Sequence, residues 1–163
     1  MKFETKKIKR EYRDIKNIMS DILNTNDENM YKTYVSRLIN EFEKDEFLNH
    51  ILSPYFDKKA DVTISRSGYW VELEIPADVN VQIAFVLQTL KEFSDMSAQD
   101  ICARLYSLYA SKRFADTIIP WNRDVVSPAF RDLQNKISDL IEDIPEKAAE
   151  VDAKSLKLVD WDK

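Results

Sequence analysis

Apolar residues recur along most of this chain at helical spacing, and along one short stretch at strand spacing. Ile8, Tyr12, Ile15, Met19 and Ile22 alternate steps of four and three residues, which predicts a helix over residues 5–24. The polar Asn24-Thr-Asn-Asp-Glu28 breaks that pattern and places Asp27 to cap a second helix. Tyr31, Val35, Leu38 and Phe42 carry that second helix to about Glu43. After the charged Glu43-Lys-Asp-Glu46, the residues Phe47, Leu48, Ile51 and Leu52 predict a short third helix, closed by Ser53-Pro54. Tyr55 and Phe56 are then placed to tuck under the extended stretch beyond them.

The period changes in residues 60–76, which also hold Gly68, the single glycine of the chain. Tyr69, Val71, Leu73 and Ile75 fall on one face of an extended strand, and Trp70, Glu72 and Glu74 on the other. Val62 and Ile64 form the apolar face of a preceding strand. The two apolar faces coincide only across a loop of even length. A two-residue turn at Ser67-Gly68 pairs Ile64 with Val71 and Val62 with Leu73; a loop of four from Ser65 also keeps parity. An isolated hairpin is marginal in water, so Val62, Ile64, Val71 and Leu73 are expected to face helices.

Asp78 caps a helix over residues 79–93, apolar around most of its first turns and therefore expected at the centre of the fold. Ser97-Ala-Gln-Asp100 opens a helix to about Phe114, with Ala98, Ile101, Cys102, Leu105, Leu108 and Tyr109 inward. Residues 116–124 read as a connector. Ser127-Pro128 reads as N-cap and first helical position of a surface helix, with Phe130, Leu133, Ile137, Leu140, Ile141 and Ile144 inward. Leu156, Leu158 and Trp161 lie in a charged tail, which adds a third short strand to the hairpin, binds another molecule or, as the preferred reading, docks in a groove of its own domain.

One glycine in 163 residues reinforces the helical reading, because sheets need glycine at their turns and helices do not. The expectation is an α+β, mostly α fold: five or six helices with one small antiparallel β-hairpin, in a single domain over 1–163, with 146–163 a docked tail. The longest apolar run, Ile83-Ala-Phe-Val-Leu87, is too short for a membrane span, and the charged start has no apolar leader. One cysteine, Cys102, excludes a disulfide within the chain. We therefore expect a cytoplasmic protein with no membrane partner.

Charge is unevenly spread. Residues 1–16 carry seven Lys/Arg against Glu4, Glu11 and Asp14, a net of +4, in a chain whose total is −5. Lys6, Lys9, Arg10, Arg13 and Lys16 fall on one flank of the first helix, within an arc of about 120°. Such a row is ordinarily a solvated face or a partner for the acidic tail; its functional reading is a contact surface for phosphates or an acidic protein.

Candidate chemistry is sparse. His50 is the single histidine, and no spacing supplies it with a catalytic partner. Cys102 falls on the inner face of a helix, where a thiol is inert. Glu72 and Glu74 are about 7 Å apart on one strand face, a pattern that more often marks the solvent side of an edge strand than a sugar or cation site. One glycine excludes phosphate-binding glycine loops. We assign no catalytic residue, metal ligand or cofactor.

The helices joined by Ile118-Ile-Pro-Trp-Asn122 resemble small bacterial or phage accessory proteins in general aspect only, and no residue role comes with that resemblance. The expected function is a non-enzymatic protein-interaction or regulatory module, bound to another protein or to itself. Its contact residues would be Lys6, Lys9, Arg10, Arg13, Lys16, Trp70, Trp121 and Trp161, because interfaces favour tryptophan and arginine anchors. The alternative is a nucleic-acid-binding protein that uses the basic flank.

Overall fold

The computed structural model describes residues 1–67 and 70–162, with the backbone alone for 66, 67, 70 and 71. The protein is mostly helical, with two small antiparallel sheets of two strands each. The elements are β1 (Lys2–Glu4), α1 (Thr5–Asn24), α2 (Glu28–Lys44), α3 (Glu46–Leu52), α4 (Pro54–Asp57), β2 (Thr63–Ser67) and β3 (Trp70–Glu74). They continue with α5 (Val79–Ser94), α6 (Ala98–Tyr109), α7 (Phe114–Trp121), a π-helical turn (Asn122–Val126), α8 (Ser127–Glu142), β4 (Glu150–Asp152) and a 3₁₀ turn (Ala153–Ser155).

The helices bury the stripes their spacing predicts. Ile8, Ile15, Ile18, Met19 and Ile22 of α1 meet Tyr31, Val35, Leu38, Ile39 and Phe42 of α2 in one core. Tyr12 is half-buried, and its hydroxyl donates to the Gln134 carbonyl of α8 at 2.9 Å. α5 is central: it packs on α2, α4 and α8, which explains why it is apolar on more than one face. Caps form where a short polar side chain precedes a helix. Asp78 accepts from the Asn80 and Val81 amides, Ser97 from Asp100, and Asp45 from Leu48. Asp27 holds the capping position of α2 without making a side-chain cap bond.

Several expectations are corrected. Residues 116–124 are not a connector: α7, the π-helical turn and α8 run as one helical rod, and Ser127 sits inside it. Pro120 and Pro128 each remove an amide from the ladder, and the Ser127 amide bonds instead to the Asn122 carbonyl five residues back. Burial of Trp121, Val125, Val126 and Phe130 holds the rod together despite the two prolines.

The hairpin is peripheral. Its register pairs Ile64 with Leu73 and Ser67 with Trp70, two residues away from the expected pairing, although parity is kept. β3 leans on α6, with Leu73 and Ile75 half-buried, while Ile64, opposite Leu73 on the same face, stays 51% exposed. Two five-residue strands bury too little to organise a core of this size. The expected turn at Gly68 and the inward packing of Val71 lie outside the described residues. Tyr55 is fully buried, but under α5 and the tail; Phe56 is exposed.

The tail does not extend the hairpin. β4 pairs with β1 instead, with Phe3 opposite Val151 and Lys2 opposite Asp152. Phe3 is buried between Phe47 and His50, which gives β1 the out-in-out pattern of a strand over a core. Leu156 is buried, and Trp161 packs edge-on against Tyr55 while donating to the Pro54 carbonyl at 2.7 Å.

Candidate interaction surfaces

Helical geometry places Lys6, Lys9, Arg10, Arg13 and Lys16 together because their partners on the opposite side of α1 are the buried isoleucines. All five are exposed. Arg13 is held by its neighbour Asp14 through two bonds of 3.0 and 3.2 Å, and the Lys16 ammonium lies 4.3 Å from the centre of the Tyr12 ring. Among the described residues, no acid lies within 4.0 Å of Lys6, Lys9, Arg10 or Lys16. Lys6 and Lys9 border a groove of about 490 Å³ with Glu4, Thr5 and the 148–150 segment. The acidic tail thus reaches this flank at Glu150 without forming an ion pair there.

The tryptophans divide. Trp121 is buried at 1% exposure, and its ring lies against Phe85 and Phe93. It is core and offers no contact surface. Trp161 is half-buried on Tyr55, with the Lys58 ammonium 5.3 Å from its ring. The Trp70 side chain lies outside the described residues. Burial of Trp121 results from its place in a continuous rod, which a connector reading of residues 116–124 hides.

An apolar groove of about 450 Å³ lies where α2, α3, α4 and α5 meet. Ile39, Phe42 and Leu52 line it, exposed Phe56 stands at its edge, and the Lys91–Glu43 ion pair at 2.6 Å joins α5 to α2 beside it. Sequence spacing alone does not reveal it, because each lining residue belongs to an ordinary apolar stripe.

The chemistry-bearing residues serve structure. His50 Nε2 lies 2.8 Å from the Ala153 carbonyl and 3.1 Å from that of Leu156, so this nitrogen carries the hydrogen and ties the tail to α3. The Cys102 thiol donates to Glu28 at 2.9 Å, and burial together with that carboxylate pushes it up to about 12. A thiol so raised is a poor nucleophile. Glu72 and Glu74 are both exposed on β3. One acid is unusual: burial, then the charges of Asp45, Glu41 and Asp14, push the Glu11 carboxyl up to about 7.

Among the described residues, no helix is long and apolar enough to cross a membrane. No family model, curated protein or solved structure matches the chain.

Proposed function

We propose that the protein is an interaction module that docks an acidic protein surface on the exposed flank of α1, working by binding and not by catalysis. The supporting observation is the row Lys6, Lys9, Arg10 and Lys16, solvent-facing and without an acid within ion-pair distance among the described residues, on a chain of net charge −5. A cation that is already desolvated or paired has little to offer a partner, whereas an exposed row supplies steering and register. Arg13, shared with Asp14, sits in the same row at lower effective charge.

Nucleic acid is the second reading. The row extends over about 15 Å of helix at 1.5 Å per residue, long enough to track successive phosphates of one strand. Binding of the whole chain to a polyglutamate peptide and to a mixed-sequence DNA duplex, each over a range of salt, separates the two. The protein reading expects measurable polyglutamate binding at low salt, abolished in a K9E/R10E/K16E variant, with weaker DNA binding. DNA binding alone, with a steep salt slope lost in the same variant, selects the second reading. Absence of both at low salt removes the flank from consideration.

A further inference from the structure

Glu11 lies on the side of α1 that meets α2. It is half-buried, and its Oε2 is shielded from solvent with no hydrogen-bond donor in reach. Carboxyl groups surround it: Asp14 one turn on in α1, Glu41 on α2, and Asp45 at the junction of α2 and α3. Glu41 is within hydrogen-bonding reach of it.

Two ionised carboxylates cannot hydrogen-bond to each other, because neither has a proton to give. A carboxylic acid beside a carboxylate can, and that bond is short and strong. One hydrogen shared with Glu41 would satisfy the orphaned oxygen. Nearby cations do not take its place. Lys2 and Lys7 line a cleft with Glu4, Lys44, Asp45 and Glu46, and Arg37 and Lys44 line another with Glu41 and Glu43. Among the described residues, none of these cations pairs within 4.0 Å with Glu11, Glu41 or Asp45, and no three acids are placed to hold a metal ion.

We propose that Glu11 and Glu41 form a proton-sharing clasp between α1 and α2, closed while Glu11 is protonated and loosened when it ionises. Ionisation adds a negative charge next to Asp45, whose carboxylate caps α3 through the Leu48 amide, so the repulsion falls where three helices meet.

Linkage sets the direction with pH. Burial, then the charges of Asp45, Glu41 and Asp14, push the Glu11 carboxyl from its ordinary 4.5 up to about 7 in the folded chain. The folded state holds the extra proton between those values, so the contribution to stability is complete below pH 4.5 and is lost as pH rises through 7.

Thermal melts of the full chain from acidic to alkaline buffer test this with wild type and Glu11→Gln, which supplies the missing donor without charge. The melting temperatures should coincide in acid and separate in alkali, with Glu11→Gln higher by roughly 2–4 °C. Carbon NMR of the Glu11 carboxyl should show its titration near neutrality, moving to lower pH in Glu41→Gln, whose amide donates to the ionised acid. Parallel melting curves for wild type and Glu11→Gln overturn the clasp. So does a Glu11 signal that titrates in the ordinary carboxylate range, a reading that needs only the wild-type protein.

Discussion

The indole N–H of Trp121 donates to the hydroxyl oxygen of Tyr31 at 3.1 Å, and both side chains are fully buried. This bond joins the α7–α8 rod to α2 across 90 residues of sequence. Burial also holds the Tyr31 hydroxyl protonated far above its usual range. Replacing Tyr31 by Phe keeps the ring contacts with Phe93 and Phe114 but orphans the indole N–H. The expected cost is about 1–3 kcal/mol. Denaturant titration checks it, and an unchanged midpoint at unchanged slope contradicts it.

Ala110 ends α6 with φ of 50°, the one positive-φ residue other than glycine among the described residues. A Cβ in that conformation is unfavourable, and glycine is the residue that helix ends ordinarily place there. Ala110→Gly is expected to stabilise by roughly 0.5–1 kcal/mol, because relief of the left-handed strain outweighs glycine's extra unfolded entropy. Differential scanning calorimetry should show a higher melting temperature; a lower one means that the entropy term dominates.

The Cys102 thiol, pushed up to about 12 chiefly by burial and then by Glu28, should react slowly with iodoacetamide at pH 8. Labelling in denaturant should be on the order of a hundredfold faster, since exposure restores the ordinary thiol. Glu28→Gln should speed native labelling by only a few-fold, because desolvation is the larger cause. Equal rates for native and unfolded protein exclude a buried thiol.

Leu156 anchors the tail in the core, and His50 holds the carbonyl groups of Ala153, which opens the 3₁₀ turn, and of Leu156, just beyond it. Leu156→Ala should cost about 2–3 kcal/mol. His50→Ala should chiefly raise amide exchange in β1 and β4 with a smaller global effect, because it frees one end of a local sheet. Uniform exchange across the chain in His50→Ala goes against a local role.

Much of the fold was legible as pattern. Period located α1, α2, α3, α5 and the start of α6, and the caps Asp78 and Ser97 marked where α5 and α6 begin, since an amphipathic stripe and a short polar residue before it act within a few residues; α6 itself stops at Tyr109, short of the expected Phe114. Parity of the hairpin was legible for the same reason, while its register was not: Ile64 opposite Val71 and Ile64 opposite Leu73 satisfy the same alternation. The basic flank of α1 was also visible, because helix geometry alone produces it.

Tertiary structure decided the rest. Pro120, Pro128 and the run between them spell a break locally, and only burial of Trp121 against Tyr31, Phe85 and Phe93 makes that run helical. The pairing of β1 with β4 joins residues about 150 positions apart, which no local period encodes. Glu11 looks like one more surface charge until α2 brings Glu41 and Asp45 beside it. The division is physical: periodicity reports which face of an element is apolar, whereas desolvation and charge proximity depend on what the other elements place against that face.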